Sequence, residues 1–172
     1  MGLFDVQSFQ RQGNSIRVFV CRSGQRRISP SVKKFLDKEK KAGLDKISSY
    51  HVLAAKIEAS RNKLVTTLQD LKKKKMKIAA YGSPARGNTL LNYCNIGANV
   101  IDFATEELSS KIGLYTPGMH VPVKHVKDAR KNPPDYYLML AWNYKDQILK
   151  KEAEYVKKGG KFIVPIGDIK IL

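Results

Sequence analysis

A turn bounded by two glycines, GSPARGNT, carries the groups best suited to bind an anion. Gly82 stops a short apolar run, and apolar residues at helical spacing follow Gly87, so the pattern predicts strand, tight turn and helix. The N–H groups of Gly87, Asn88 and Thr89 would open that helix without intrahelical partners, where the helix dipole favours negative charge. The guanidinium of Arg86 can add a forked contact to a phosphate. The expected contacts are Gly82, Ser83, Arg86, Gly87, Asn88 and Thr89.

The turn matches neither of two common phosphate loops. Its glycine spacing copies the start of G-x-x-x-x-G-K-[ST], but Asn88 stands where the lysine belongs, while Thr89 keeps the hydroxyl. The dinucleotide fingerprint G-x-G-x-x-G fails because Ser83 and Pro84 occupy the middle positions. The spacing is equally typical of a plain strand-to-helix corner whose glycines permit positive φ, and the pattern leaves both interpretations open.

Several segments together resemble one protein family. YGSPARGNTLLNYCNIG, residues 81–97, is similar to the Tyr-Gly-Ala-Pro-Ala-Lys-Gly-Asn-Thr-Leu-Leu-Asn-Tyr-Cys signature of the C-terminal domain of nucleotide-sugar C-methyltransferases. Residues 117–123, 135–144 and 159–166 resemble that domain's Pro-Gly-Thr-His-Ile-Pro, Asp-Tyr-(apolar)-Trp-Asn and final-strand motifs, in the same order. Residues 3–20 resemble the strand pair that ends the family's methyltransferase domain.

The resemblance implies a function in adding a branching methyl group to deoxysugars. The domain would help to form the pocket for a nucleotide-diphosphate ketosugar, beside a methyltransferase domain supplied in cis or in trans. In the family, S-adenosylmethionine, the zinc-binding module and the base that makes the carbanion belong to preceding domains. We therefore expect this chain alone to be inactive, to bind no S-adenosylmethionine and to hold no metal. The family's His-Gly-Gly-Ser loop is replaced here by residues 12–15, so the histidine's role does not carry over.

Glu106 is the expected contact for sugar hydroxyls. In dinucleotide-binding folds a carboxylate at the end of the second strand, about 20 residues past the glycine turn, takes the ribose hydroxyls. The resembled family has an Asp-Arg pair here, whereas this chain has Glu106 and Glu107. The alternative is that Glu106 caps the turn that follows the strand.

Three further side chains are expected near the same ligand. His120 lies in the PGMHVPV segment that matches the family, although nothing in the sequence supplies a second ligand for a metal. Trp142 and Asn143 follow a predicted buried strand at its carboxyl end, where open α/β sheets place ligands. Trp142 suits stacking on a sugar or base and suits a core position equally.

Strands alternate with helices in the second half of the chain, which predicts an α/β fold: a Rossmann-like, small parallel sheet with flanking helices. Loop chemistry is expected over residues 108–134. The predicted strands are 78–81, 98–104, 135–141, 161–165 and 169–172, with a helix over 144–158. The predicted division is a strand pair over 1–28, a connector of two helices over 29–75 and the Rossmann-like domain over 76–172.

The longer connector helix is expected over residues 45–75, because one apolar stripe runs along it. Its members are Tyr50, Leu53, Ile57, Leu64, Leu68 and Leu71. Packing of that stripe on the sheet or on a neighbouring helix is favoured over a coiled-coil dimer. The shorter helix should begin at Ser29-Pro30, since serine can cap and proline suits the first turn.

The net charge of +17 suggests an anionic partner. The lysines are spread along predicted helices with no recognised nucleic-acid motif, so solvated faces explain most of them. The two cysteines lie far apart, and there is no long apolar run, which favours a cytoplasmic protein without a membrane segment. A free-standing Rossmann-like nucleotide-binding protein, a basic nucleic-acid-binding module and a pure scaffold remain open alternatives.

Overall fold

The computed structural model describes residues 1–10 and 14–172. The chain forms two compact units, Met1–Lys56 and Ile57–Leu172. Part of the loop that replaces the family's His-Gly-Gly-Ser sequence lies at residues 11–13, outside the described residues. The division of the chain at residues 28 and 75 stays a prediction.

The first unit contains the expected strand pair and the expected helix start. Strands β1 (Gly2–Phe9) and β2 (Ser15–Cys21) pair antiparallel, and helix α1 (Pro30–Lys41) follows them. The Ser29 side chain accepts from the Ser31 N–H, and the Ser31 hydroxyl donates to the Asp5 carboxylate at 2.5 Å, which fastens α1 to β1. On β2 the alternating residues Ile16, Val18 and Val20 are about half exposed, so the strand pair carries an uncovered apolar face.

The long helix α2 (Ile47–Lys73) buries three of the six residues of the predicted apolar stripe. Leu64, Leu68 and Leu71 are buried and pack with Ile78 of the sheet. Leu53 and its neighbours along the first half of the helix remain about half exposed. Only the second half of the stripe therefore contributes to a core.

The second unit has the predicted α/β fold, built on a sheet of six strands. The strands are β3 (Ile78–Tyr81), β4 (Ala104–Glu106), β5 (Val123–His125), β6 (Tyr136–Met139), β7 (Lys161–Val164) and β8 (Lys170–Ile171). The helices are α3 (Ala85–Cys94), α4 (Val126–Lys131), α5 (Lys145–Lys151) and α6 (Ala153–Lys157). The strand order is β5-β4-β3-β6-β7-β8, and every pair is parallel except that of β7 with β8. This is the strand order of a Rossmann fold.

Both faces of this sheet are covered, as its apolar strands require. On one face, α2 and α3 supply Leu68 and Leu91, which pack with Ile78 and Leu138. On the other face, α4 and α5 supply apolar residues to a cluster rich in aromatic rings. Its buried members are Ala79, Tyr81, Val126, Tyr137, Met139, Ile148 and Phe162.

Three element predictions are wrong. The second strand is not residues 98–104 but Ala104–Glu106, because Ile101 reaches the core from a turn closed by its N–H bond to the Gly97 carbonyl. The predicted loop over 108–134 contains β5 and α4. The helix predicted over 144–158 is instead two helices that meet at Glu152, whose buried carboxylate accepts a hydrogen bond from the Tyr81 hydroxyl. Among the described residues no helix is both long and apolar enough to cross a membrane.

Candidate functional site

The strand order changes direction between β3 and β6, and an open α/β sheet forms its ligand crevice at such a topological switch point. β4 lies on one side of β3 and β6 on the other, so the connections after β3 and β6 leave in opposite directions. Gly82 follows β3 with φ +83°, and a Cβ placed on it would lie 3.2 Å from the Ala141 Cβ after β6. Glycine is required here because the backbone conformation is left-handed and the two strand ends approach closely.

The predicted helix after the glycine turn begins earlier than expected. α3 starts at Ala85, and the Asn88 N–H donates to the Pro84 carbonyl at 3.0 Å, so the prediction that Asn88 offers an unpaired N–H is wrong. The N–H groups that precede the first intrahelical bond are those of residues 85–87. Pro84 gives the helix no side-chain cap. The positive end of α3 therefore lies at the edge of the crevice, and Arg86, whose side chain is exposed, belongs to the first turn of this helix.

Gly87 serves the packing of α3 on the sheet. A Cβ on Gly87 would lie 2.6 Å from the Leu140 Cβ, closer than any side chain tolerates. Gly82 and Gly87 thus occupy the first and third glycine positions of the dinucleotide fingerprint. As in the fingerprint, Gly82 permits the tight turn and Gly87 permits the close contact between helix and strand. Pro84 occupies the middle position, where the fingerprint needs a glycine for close approach of a pyrophosphate.

Glu106 ends β4 beside the crevice and is held by several donors. Its Oε1 accepts from the Glu107 N–H at 3.0 Å and the Leu108 N–H at 3.4 Å, and its Oε2 accepts from Lys111 Nζ at 3.2 Å. Burial raises the pKa of the Glu106 carboxyl, but these donors lower it more, so its pKa lies below the ordinary value. Lys111 Nζ also donates to the Ser83 carbonyl at 3.0 Å and so links the glycine turn to Glu106. The turn cap, which was the alternative interpretation of Glu106, is present, and no pattern in the sequence indicated Lys111.

A cavity of about 310 Å³ opens at the carboxyl ends of β3, β4 and β6. Among the predicted site residues, Gly82 and Glu106 line it. The other lining residues are Tyr81, Thr105, Glu107, Val126, Ala141, Tyr144, Gln147, Ile148 and Lys151. An ion pair between Lys151 Nζ and the Glu107 carboxylate links the end of α5 to the residue that follows β4.

The remaining predicted residues lie outside this cavity. Thr89 is exposed and donates its hydroxyl to the carbonyl one helical turn earlier at 3.2 Å, whereas Asn88 Oδ1 is buried without a partner in the described part of the chain. His120 is exposed in a loop with φ +50°. The half-buried Trp142 and the exposed Asn143 lie in a 3-10 turn directly after β6, at the predicted edge of the sheet.

The His120 loop is tied to α3. Asn92 Nδ2 donates to the Pro117 carbonyl at 2.9 Å, and a Cβ on Gly118 would lie 1.9 Å from Asn92 Oδ1. Two of the segments that carried the family resemblance are therefore neighbours in space. Sequence reasoning missed Asn92, although it lies within the signature segment.

A buried polar cluster lies next to the cavity. The Glu152 carboxylate accepts from Tyr81 Oη at 2.8 Å, from Arg130 Nη2 at 2.5 Å and from Arg130 Nε at 3.2 Å. Burial, followed by the hydrogen bond to Glu152, raises the pKa of Tyr81 far above its ordinary value, so its hydroxyl remains a donor. Arg130 and Glu152 also line a second cavity of about 740 Å³. The described residues contain no cluster of three or more potential metal ligands.

The chain is similar in sequence to known proteins. Residues 10–167 match the model of a family described as the C-methyltransferase C-terminal domain. The C-methyltransferase NovU of Streptomyces niveus is 31% identical over 169 residues, which are 98% of this chain and 40% of NovU. The chain thus spans less than half the length of this relative.

Proposed function

The chain belongs to the C-methyltransferase C-terminal domain family, and on that premise we propose that it holds a nucleotide-linked deoxyketosugar while a methyltransferase domain supplies the methyl group. The matched residues, 10–167, include the last four segments that carried the resemblance and part of the first, which confirms the family. The nucleotide-sugar substrate, the role in deoxysugar biosynthesis and a cytoplasmic location belong to the proposal. Two free thiols, at Cys21 and Cys94, suit a reducing compartment.

The proposal rests on one observation: the glycine turn lies at the topological switch point of a sheet with the strand order of a Rossmann fold. The Gly82 turn, the start of α3 and Glu106 meet at the carboxyl edge, where this fold binds nucleotides. The N–H groups of residues 85–87 and the side chain of Arg86 favour a diphosphate there. The net charge of +17 would draw such a ligand from solution.

The residues of this turn are suited to a diphosphate, which S-adenosylmethionine lacks. The positive charges of Arg86 and of the start of α3 would also oppose its sulfonium cation. We assign the methyl donor to a methyltransferase domain, in cis or in trans. The uncovered apolar face of β2, formed by Ile16, Val18 and Val20, is the surface we propose for contact with that domain, since clustered exposed apolar residues mark interaction sites.

The isolated chain is expected to give no binding heat with S-adenosylmethionine and no methyl transfer to a nucleotide-linked ketosugar. Isothermal calorimetry and a transfer assay measure the two properties. Transfer should appear only when a methyltransferase domain of the family is fused to the chain or added to it. Micromolar affinity for the methyl donor, or turnover by the chain alone, would contradict the assignment of the chemistry to the other domain.

Replacing Arg86 by alanine is expected to weaken binding of thymidine 5′-diphosphate about fivefold at low salt, equivalent to roughly 1 kcal/mol. Arg86 is exposed, so its contact with phosphate is partly screened and the effect should shrink at high salt. Titration followed by NMR suits the high micromolar to millimolar affinity that we expect.

Lys74→Ala is the matched control, because Lys74 is an exposed cation just beyond α2. It should leave the affinity within the error of wild type. Equal losses for the two variants would mean that diffuse positive charge binds the ligand, which is also how a nucleic-acid-binding module would behave.

A further inference from the structure

We propose that the second cavity, of about 740 Å³, binds a small planar aromatic carboxylate. This cavity lies at the amino edge of the sheet, because Asp135 directly precedes β6, Gly160 directly precedes β7, and both residues line it. The glycine turn and Glu106 lie at the carboxyl edge, and of the residues that line the two cavities only Lys151 is shared. The proposal is therefore independent of the proposed function.

The size and the walls of this cavity suit a ring system. Its volume lies within the range of sites that hold small organic molecules. The rings of Tyr137 and Tyr155 meet edge to face, with centroids 5.0 Å apart, and Pro133 and Pro134 add two further rings to the lining. Aromatic rings favour offset or edge-on packing against another ring, so these walls suit a flat aromatic ligand.

A largely buried hydroxyl of the cavity is available to such a ligand. Tyr137 is only 3% exposed, and among the described residues its hydroxyl has no hydrogen-bond partner. Burial raises the pKa of Tyr137 to about 12, so the hydroxyl keeps its proton and can donate it to an acceptor. A buried donor without a partner is unfavourable, and a ligand that supplies an acceptor removes that cost.

Two cationic donors line the same cavity. Arg130 uses Nε and Nη2 to bind Glu152, which leaves its Nη1 group for a second acceptor. Lys158 lines the cavity, and its ammonium group has no acidic partner in the described part of the chain. Together with the Tyr137 hydroxyl, these groups offer donors of three different types to one ligand.

The acidic side chains of the cavity are already engaged, which indicates that the ligand supplies acceptors. Glu152 is bound by Arg130, Glu154 pairs with Lys157 at 2.9 Å, and the Asp135 carboxylate accepts from the Lys77 N–H at 2.7 Å. A carboxylate can accept from several donors at once, and its bonds to cationic donors are strengthened by charge. A carboxylate attached to an aromatic ring therefore matches both the donors and the ring walls.

NMR titration of the complete chain with three probes tests the proposal. The probes are 2-naphthoate, naphthalene-2-methanol, which has the rings without the charge, and octanoate, which has the charge without the rings. We expect 2-naphthoate to bind at least about fivefold more tightly than either of the others. The amide signals of Tyr155, Gly159 and Gly160 should shift with 2-naphthoate, whereas those of Thr105 and Glu107 at the first cavity should not.

Two variants remove one donor each. Lys158→Ala should weaken 2-naphthoate about fivefold and leave the affinity for naphthalene-2-methanol unchanged, because only the carboxylate needs the ammonium group. Tyr137→Phe keeps the ring and should weaken 2-naphthoate by a similar factor. The matched controls are Lys150→Ala, an exposed lysine of α5 that does not line the cavity, and Tyr136→Phe, whose ring packs with the core on the other face of the sheet.

Lys158 is exposed, so its replacement does not threaten the fold, and the test stands even if Tyr137→Phe is unstable. Equal affinity for the three probes, or no binding by any of them, would overturn the proposal. Equal losses for Lys158→Ala and Lys150→Ala would overturn it as well, because diffuse charge would then hold the anion. So would shifts confined to Thr105 and Glu107, since these place the probe in the first cavity.

Discussion

Arg130→Met is expected to lower the free energy of unfolding of the Ile57–Leu172 unit by about 3 kcal/mol. The Glu152 carboxylate, in a residue only 5% exposed, would keep Tyr81 Oη as its one remaining side-chain donor within the described chain. Removing one partner of a buried ion pair leaves an uncompensated charge, which typically costs about 3 to 5 kcal/mol. The lower end applies because the Arg130 side chain is 43% exposed and water can enter where it stood.

Chemical denaturation of the variant and of two companions measures this effect. Lys131→Met removes the neighbouring exposed cation, which pairs with Asp128 on the surface, and should change stability by less than about 0.5 kcal/mol. The double variant Arg130→Met with Glu152→Leu should be more stable than Arg130→Met alone, because no carboxylate is then left without its cation. If Arg130→Met behaves like Lys131→Met, the buried carboxylate does not need its arginine.

The polar cluster also connects the core to the cavity at the carboxyl ends of β3, β4 and β6. Tyr81 lines the cavity, and its hydroxyl is anchored by the same Glu152 carboxylate. Its ring packs edge-on against Tyr137 and Phe162, with ring centroids 5.4 and 5.6 Å apart. Loss of the anchor should therefore disturb the cavity wall as well as the stability of the sheet.

The sequence predicts the elements whose signal is local. The apolar run before Gly82, the glycine turn and the helical spacing after it are contiguous, and all three elements are present, with the helix beginning at Ala85 and not at Gly87. β5 was missed because three residues give too little alternation to identify a strand, and it exists through parallel pairing with β4. α4 was missed because a helix of six residues offers less than two turns of periodicity.

The residues of the candidate site were likewise predictable only where the signal in the sequence is local. Gly82 follows β3 and Glu106 ends β4, and because the carboxyl ends of parallel strands meet at one edge of a sheet, the sequence predicted that both residues lie there. Gln147 and Ile148 reach the cavity from α5, and only the packing of that helix on the sheet brings them there. Lys111 belongs to a 3-10 turn whose contact with Ser83 joins residues far apart in sequence. No spacing pattern encodes such contacts.

The apolar stripe of α2 shows the same limit and supplies a matched pair of variants. Leu68→Ala is expected to lower the free energy of unfolding by about 3 to 4 kcal/mol, because Leu68 is 1% exposed and its removal leaves a cavity between α2 and the sheet. Leu53→Ala makes the same chemical change in the same helix, but Leu53 is 53% exposed. Its effect on the chain should stay within about 0.5 kcal/mol.

Both variants have the same change in helix propensity, so the difference between them isolates the cost of the cavity. Denaturant titrations of wild type and the two variants, followed by circular dichroism, measure it. A Leu53→Ala loss as large as that of Leu68→Ala would mean that the exposed half of the stripe is covered in solution, for example by a second copy of the chain. Dependence of that loss on protein concentration would identify such self-association, since dimer stability varies with concentration and the stability of an isolated chain does not.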